Sequence, residues 1–185
     1  MTRDPANALE RDRVWRRAAA FAARMHASHA RKDGRTPYFS HPARVAMTVR
    51  DTFGLDDADA IAAAFLHDTI EDTPADYDDI ADRFGPAVAG LVAALTKNML
   101  LPEAEREADY DARLARADWR ARLVKLADVL DNSEDLSTRP DGEHPDVGRR
   151  NSDRIDRILA LTEADEQPAI VRARAIVAAA RSDAG

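Results

Sequence analysis

The chain has 185 residues, enough for one domain with a substantial core. It contains no cysteine, which excludes a disulfide scaffold, a thiolate zinc site and a cysteine nucleophile. A net charge of −7 argues against bulk attraction to nucleic acid or an anionic membrane, yet leaves room for a small anionic ligand held by a few local cations.

The first seventeen residues are charged and do not read as a secretory leader, and the most apolar run, 58–66, is far shorter than the roughly 20 residues of a membrane span. A cytoplasmic protein is expected. Val14, Ala18, Phe21 and Met25 recur at helical spacing, so a first helix is predicted to run to a glycine stop near Lys32-Asp33-Gly34. Ser40 reads as the N-cap of a second helix with Pro42 in its first turn and Val45, Val49 and Phe53 on its buried face. A third is predicted over 56–72, with Ile61, Phe65 and Leu66 as apolar positions and a stop at Thr73-Pro74. Short helices follow over 76–84 and 87–96, divided by Gly85-Pro86, and a loop spans 97–102.

The stretch 103–116 is polar and reads as an exposed helix, whereas 119–136 turns Leu123, Leu126, Ala127 and Leu130 inward. A loop at 138–145 precedes two terminal helices, 147–162 and 165–181. No alternating strand and no repeat is visible. The expectation is an all-α bundle of about eight or nine helices in a single domain over 1–185.

The chemistry concentrates in Leu66-His67-Asp68-Thr69-Ile70-Glu71-Asp72-Thr73. On one helix His67 and Glu71 stand at i, i+4, as do Asp68 and Asp72. Three carboxylates packed so closely repel unless protons or a cation neutralise them, and imidazole beside carboxylate suits Mn, Fe or Zn. The bland alternative is an acidic helix end with a capping histidine. Further ligands would decide between them. His41, at a helix start after Tyr38-Phe39-Ser40, and Asp128, an acid embedded in Leu126-Ala127-Asp128-Val129-Leu130, are the candidates.

Four co-linear segments then carry a resemblance. They are Arg31-Lys32-Asp33-Gly34 with Pro37-Tyr38-Phe39-Ser40-His41-Pro42, the segment around His67-Asp68, Phe84-Gly85-Pro86 through Leu95-Thr96-Lys97, and Val124-Lys125-Leu126-Ala127-Asp128 through Asn132. Together these segments, over about residues 21–136, resemble the hydrolase half of the RelA/SpoT family within the HD phosphohydrolases, and especially its small stand-alone alarmone hydrolases.

The resemblance implies an HD-domain helical bundle with one divalent metal, usually manganese, held by His41, His67, Asp68 and Asp128. It implies that Glu71 and Asp72 manage the attacking water and its protons. It also implies that Arg31, Lys32, Lys97 and Asn132 bind the substrate, although charge at a helix end or in a solvated loop is the plainer alternative for the three cations. The implied reaction releases pyrophosphate from the 3′ position of guanosine tetra- or pentaphosphate, leaving GDP or GTP. The family's synthetase is a separate following domain, so hydrolysis without synthesis is expected from a chain with only residues 137–185 beyond the motifs.

The sequence departs from the family in one place. His-Asn-Leu-Arg, frequent after the metal aspartate, is here Asp131-Asn132-Ser133-Glu134 followed by Asp135. Acids replace a cation, which bears on the nucleotide more than on the metal; Arg149, Arg150 and Arg154 would restore charge or form a solvated face. The alternatives are an HD-type phosphohydrolase of another nucleotide, such as a nucleotide phosphomonoesterase or NADPH phosphatase, and a non-catalytic nucleotide-binding regulator. The complete ligand and acid set argues against the regulator. His26, His29 and His144 are expected to have a structural or solvent role, and Phe21, Phe65 and Trp119 to be core. A small-molecule guanine nucleotide is the expected partner, with no nucleic acid and no membrane, and self-association into a homo-oligomer is left open.

Overall fold

The computed structural model describes residues 5–138 and 145–183. Its helices are α1 (Pro5–Met25), α2 (Ser40–Met47), α3 (Ala58–Leu66), the single turn α4 (Thr69–Asp72), α5 (Tyr77–Phe84), α6 (Pro86–Leu95), α7 (Glu103–Arg116), α8 (Trp119–Glu134), α9 (Pro145–Leu161) and α10 (Pro168–Asp183). A π-helical stretch, Thr48–Thr52, prolongs α2, and a 3₁₀ turn, Asp135–Thr138, follows α8. With α3 and α4 taken as one bent helix, the described residues hold nine α-helices, as the periodicity predicts. Among them the only β pairing is an isolated bridge between Ala30 and Pro37. No helix of the described residues is long and apolar enough to cross a membrane.

The bundle is built around α8. Its positions Leu123, Val124, Leu126 and Ala127 are wholly buried, because α2, α3, α6, α9 and α10 all pack against it. A helix surrounded in this way loses the usual polar face, and acids on it become costly unless partnered. Helix α1 covers α3 through Ala18, Phe21 and Ala22.

Several boundaries differ from expectation. Helix α1 stops at Met25, before Lys32; residues 26–37 fold back as a loop, closed by Arg31 N–H on Thr36 O (2.8 Å) and Tyr38 N–H on His29 O (2.9 Å). Gly34, at φ 72°, makes a turn within that loop rather than a helix cap. Ser40 is the first residue of α2, not its N-cap, and its hydroxyl makes no hydrogen bond. The α3 N-cap is Asp57, which accepts from Ala60 N–H at 2.8 Å.

Helix α7 is not fully exposed. Tyr110 and Leu114, one turn apart, are buried against the bundle, because a 3.6-residue period gives even a polar helix one inward stripe. The last helix starts at Pro168 rather than at 165, and Asp165 is used in an ion pair. The predicted loop at 138–145 and His144 lie outside the described residues but for the loop's two end residues.

Candidate active site

The helix predicted over 56–72 is not continuous. Helix α3 ends at Leu66, Asp68 turns the chain at φ −96°, ψ −2°, and α4 supplies one further turn. The bend keeps the Asp72 N–H to Asp68 O bond (3.0 Å), with His67 buried at the bend.

Three elements meet there: α2 brings His41, the α3–α4 bend brings His67 and Asp68, and α8 brings Asp128. His41 Nε2 lies 3.1 Å from Asp128 Oδ1 and 3.5 Å from Asp68 Oδ2. His67 Nε2 lies 3.1 Å from Asp68 Oδ2 and 3.7 Å from Asp128 Oδ1. Ligand atoms of His41, His67 and Asp128, all buried residues, fall within 4.8 Å of one another. Both rings present Nε2 inward because Nδ1 is engaged outside: His67 Nδ1–H donates to Ala64 O (2.8 Å), and His41 Nδ1–H to Asp131 Oδ2 (2.6 Å).

The electrostatics fit a cation. Burial alone would lower both histidines, but the Asp68 and Asp128 carboxylates hold His67 well above its ordinary value, and Asp128 with Asp131 holds His41 above its own. Burial would raise Asp68 and Asp128; the histidines keep Asp68 low, and Lys125 with both histidines keeps Asp128 well below its ordinary value. Two histidines thus sit between two carboxylates, and a divalent cation bound there would compete with protons for the same ring nitrogens. His67 Nε2, fully buried, has no aligned hydrogen-bond partner, as befits a nitrogen kept for a ligand.

The cluster forms part of the wall of a cavity of about 510 Å³ whose lining includes all ten candidate site residues. Glu71 Oε2 accepts the Lys97 main-chain N–H at 2.9 Å, and burial pushes its carboxyl above the ordinary range despite that bond. Crowding by protein atoms and the nearby Asp68 charge likewise raise Asp72. Arg31 donates to Asp135 (2.8 Å) and Asn132 (2.9 Å), Asn132 in turn donates to Asp128 Oδ1 (2.6 Å), and Lys97 Nζ donates to Glu107 (2.5 Å). Lys32 lies exposed on the cavity wall. Arg150 and Arg154 of α9 also line the cavity, but Arg149 pairs with Asp146 at the surface.

Residues 18–155 match the HD domain. The chain belongs to the HD-domain family. It is 40% identical over 118 residues to the zebrafish guanosine-3′,5′-bis(diphosphate) 3′-pyrophosphohydrolase MESH1, covering 63% of this chain and 66% of that one. To the human MESH1 it is 41% identical over 121 residues, covering 65% and 68%. The aligned part therefore spans about two thirds of the length of these curated relatives. A solved structure of a metazoan orthologue of SpoT, one that hydrolyses ppGpp and plays a role in starvation responses, superposes with a TM-score of 0.77 at 29% identity over 95% of this chain and 96% of that one. The RelA/SpoT-type resemblance read from the motifs is borne out.

This HD-domain chain also uses residues that the sequence reading passed over. The Tyr38 hydroxyl is shared by Asp68 Oδ2 (2.6 Å) and Asp72 Oδ2 (3.1 Å). Lys125 Nζ donates to Asp128 Oδ2 at 2.6 Å. Arg157 NH2 donates to Glu107 at 2.7 Å from the far cavity wall, and Tyr110, between these groups, has a buried hydroxyl with no hydrogen-bond partner. Lys125 carried a signal, since it stands three residues before Asp128 on one helix; the others depend on contacts between distant segments. His26 is buried and stacked on Tyr38 (4.7 Å between centroids), with its Nδ1 3.2 Å from that of His29, a structural use as expected. Phe21, Phe65 and Trp119 pack in or against the core.

Proposed function

We propose that this HD-domain protein is a manganese-dependent hydrolase that removes pyrophosphate from the 3′ position of guanosine tetra- or pentaphosphate, in the cytoplasm. The observation that carries the proposal is the convergence of His41, His67 and Asp128 in the wall of a cavity that also presents Arg31, Lys32, Lys97 and Arg154. MESH1 and SpoT relatives described by that activity support the choice of nucleotide. In this assignment residues 21–136 carry the reaction, α9 completes the cavity wall, and the whole of 1–185 is one domain.

His41, His67, Asp68 and Asp128 would hold the metal. Two imidazole nitrogens and two carboxylates form a mixed set suited to manganese, and a bound divalent ion would supply Lewis-acid polarisation and an acidified water. Glu71, fixed by the Lys97 N–H and raised by burial, takes a proton from the attacking water. The bond from phosphorus to the 3′ oxygen breaks, and Asp72, steadied by Tyr38, is placed to return a proton to that oxygen. Arg31, Lys32 and Lys97 neutralise phosphate oxygens, and Asn132 keeps both Asp128 and Arg31 in place.

The test is a nucleotide panel with Mn²⁺-loaded protein and product identification. Pyrophosphate with GDP or GTP is the expected result. Orthophosphate released from NADPH or from nucleoside monophosphates, with no pyrophosphate from the alarmone, would overturn the substrate. Binding without turnover would overturn the activity.

A further inference from the structure

We propose that Asp131 and Arg44 act as a positioning pair for the metal ligand His41, an inference that rests on the metal-dependent reading above. His41 and Arg44 stand three residues apart on α2, and Asp128 and Asp131 three residues apart on α8, so each pair lies along one face of its helix. The two faces interlock. The His41 ring is held at both ends, Nε2 at 3.1 Å from Asp128 and Nδ1 at 2.6 Å from Asp131. Arg44 closes on the same Asp131 with a two-pronged grip, Nε to Oδ1 at 2.5 Å and NH2 to Oδ2 at 2.9 Å, and reaches Asp135 at 3.0 Å.

Each bond has a consequence. A carboxylate accepting from Nδ1–H selects the tautomer whose Nε2 lone pair faces His67 and Asp128, and makes that nitrogen the stronger donor. Asp131 is itself 3% exposed, and a buried acid on α8 requires partners. Arg44 supplies them and fixes the Asp131 rotamer, so the carboxylate serves the ring rather than swinging away. Asp135 then joins Arg44 to Arg31, linking the support of the metal ligand to a cavity cation.

The departure of this sequence from His-Asn-Leu-Arg acquires a physical meaning here. The acid at 131 takes the outer nitrogen of His41, and an arginine from α2, rather than from position 134, balances the added negative charge. Asp131 does not touch the cavity contents; it acts through His41.

The test is the affinity of metal-free protein for Mn²⁺ alone, measured by competition with a fluorescent chelator at a temperature where every variant is folded. Asp131→Ala should weaken Mn²⁺ about 10–100-fold, the usual effect of removing an outer partner of a ligating histidine. Asp131→Asn, which keeps an acceptor oxygen, and Arg44→Met should each weaken it several-fold, and the double variant less than additively, because both act through one carboxylate. A purely structural role would lower the melting temperature of the metal-free variants and leave the Mn²⁺ affinity of the folded protein unchanged. Affinities within about twofold of wild type for Asp131→Asn and Arg44→Met would overturn the positioning role. Wild-type protein that binds no Mn²⁺ would overturn the metal reading beneath it. Neither result depends on which nucleotide is hydrolysed.

Discussion

Two clusters of buried charge hang on α8, and they are built in opposite ways. Near its start, Arg122 donates to both oxygens of Asp165 at 2.7 Å and to the carbonyls of Leu114, Ala115 and Ala117 that end α7. Its bonds all stay within the protein, and neither Arg122 nor Asp165 lines the cavity. Further along, Asp128 gathers two histidines, a lysine and an asparagine; His67 Nε2 has no aligned partner, and the whole group faces the cavity. Buried charge whose bonds are all made holds the chain together. Buried charge with capacity left over, opening on a cavity, is available to a ligand.

The comparison predicts that damage to the second cluster removes function and damage to the first removes stability. His67→Ala should bring metal content from about one ion per chain to near zero by deleting a direct ligand, with loss of turnover. Elemental analysis reads this, and unchanged metal would break the assignment. Glu71→Gln sharpens the division within the site. It keeps size and hydrogen bonding but removes charge, so turnover should fall about 10²–10⁴-fold while metal content and binding of a non-hydrolysable analogue persist.

At the first cluster, Asp165→Ala leaves Arg122 charged and buried. It should lower unfolding free energy by about 3–5 kcal/mol in a denaturant titration while turnover of the folded protein stays at the wild-type level. A loss of turnover without a loss of stability would reverse the comparison.

The smallest effect concerns His26, which belongs to neither cluster. Burial lowers its pKa to about 4 from 6.5, with smaller opposing and reinforcing effects of Asp68 and the neighbouring histidines. In the unfolded chain the ring therefore takes up a proton at higher pH than in the folded one. Its contribution to stability is complete above pH 6.5, declines as the pH falls from 6.5 towards 4, and changes no further below that. Melting temperatures of wild type and His26→Gln, compared between pH 7 and pH 4.5, should converge as the pH falls. Parallel curves would exclude a titrating His26.

Local pattern was sufficient where one segment dictated its own structure. Asp76 and Asp79 form a reciprocal cap at the start of α5, Gly85 at φ 90° divides α5 from α6, and the bounds of α7 coincide with the polar run at 103–116. Pattern failed where distant segments competed. The stripe of α1 does not tell that residues 26–37 leave the helix to carry Arg31 and Tyr38 to the site, and the spacing of His67, Asp68, Glu71 and Asp72 hides the bend at Asp68.

The sequence by itself determined the helical class, the order of the motifs and the identity of the candidate ligands, because periodicity, capping and residue chemistry act over a few neighbouring positions. Only the tertiary structure decided which group serves which. Asp131, read in the chain as a lost cation, becomes the partner of His41 and Arg44 once α2 lies against α8. Lys97, read as a phosphate cation, also fixes Glu71 through its main-chain N–H, and its ammonium is oriented by Glu107. Such assignments depend on hydrogen bonds between segments tens of residues apart. Short-range rules hold no information about them, and burial sets their strength.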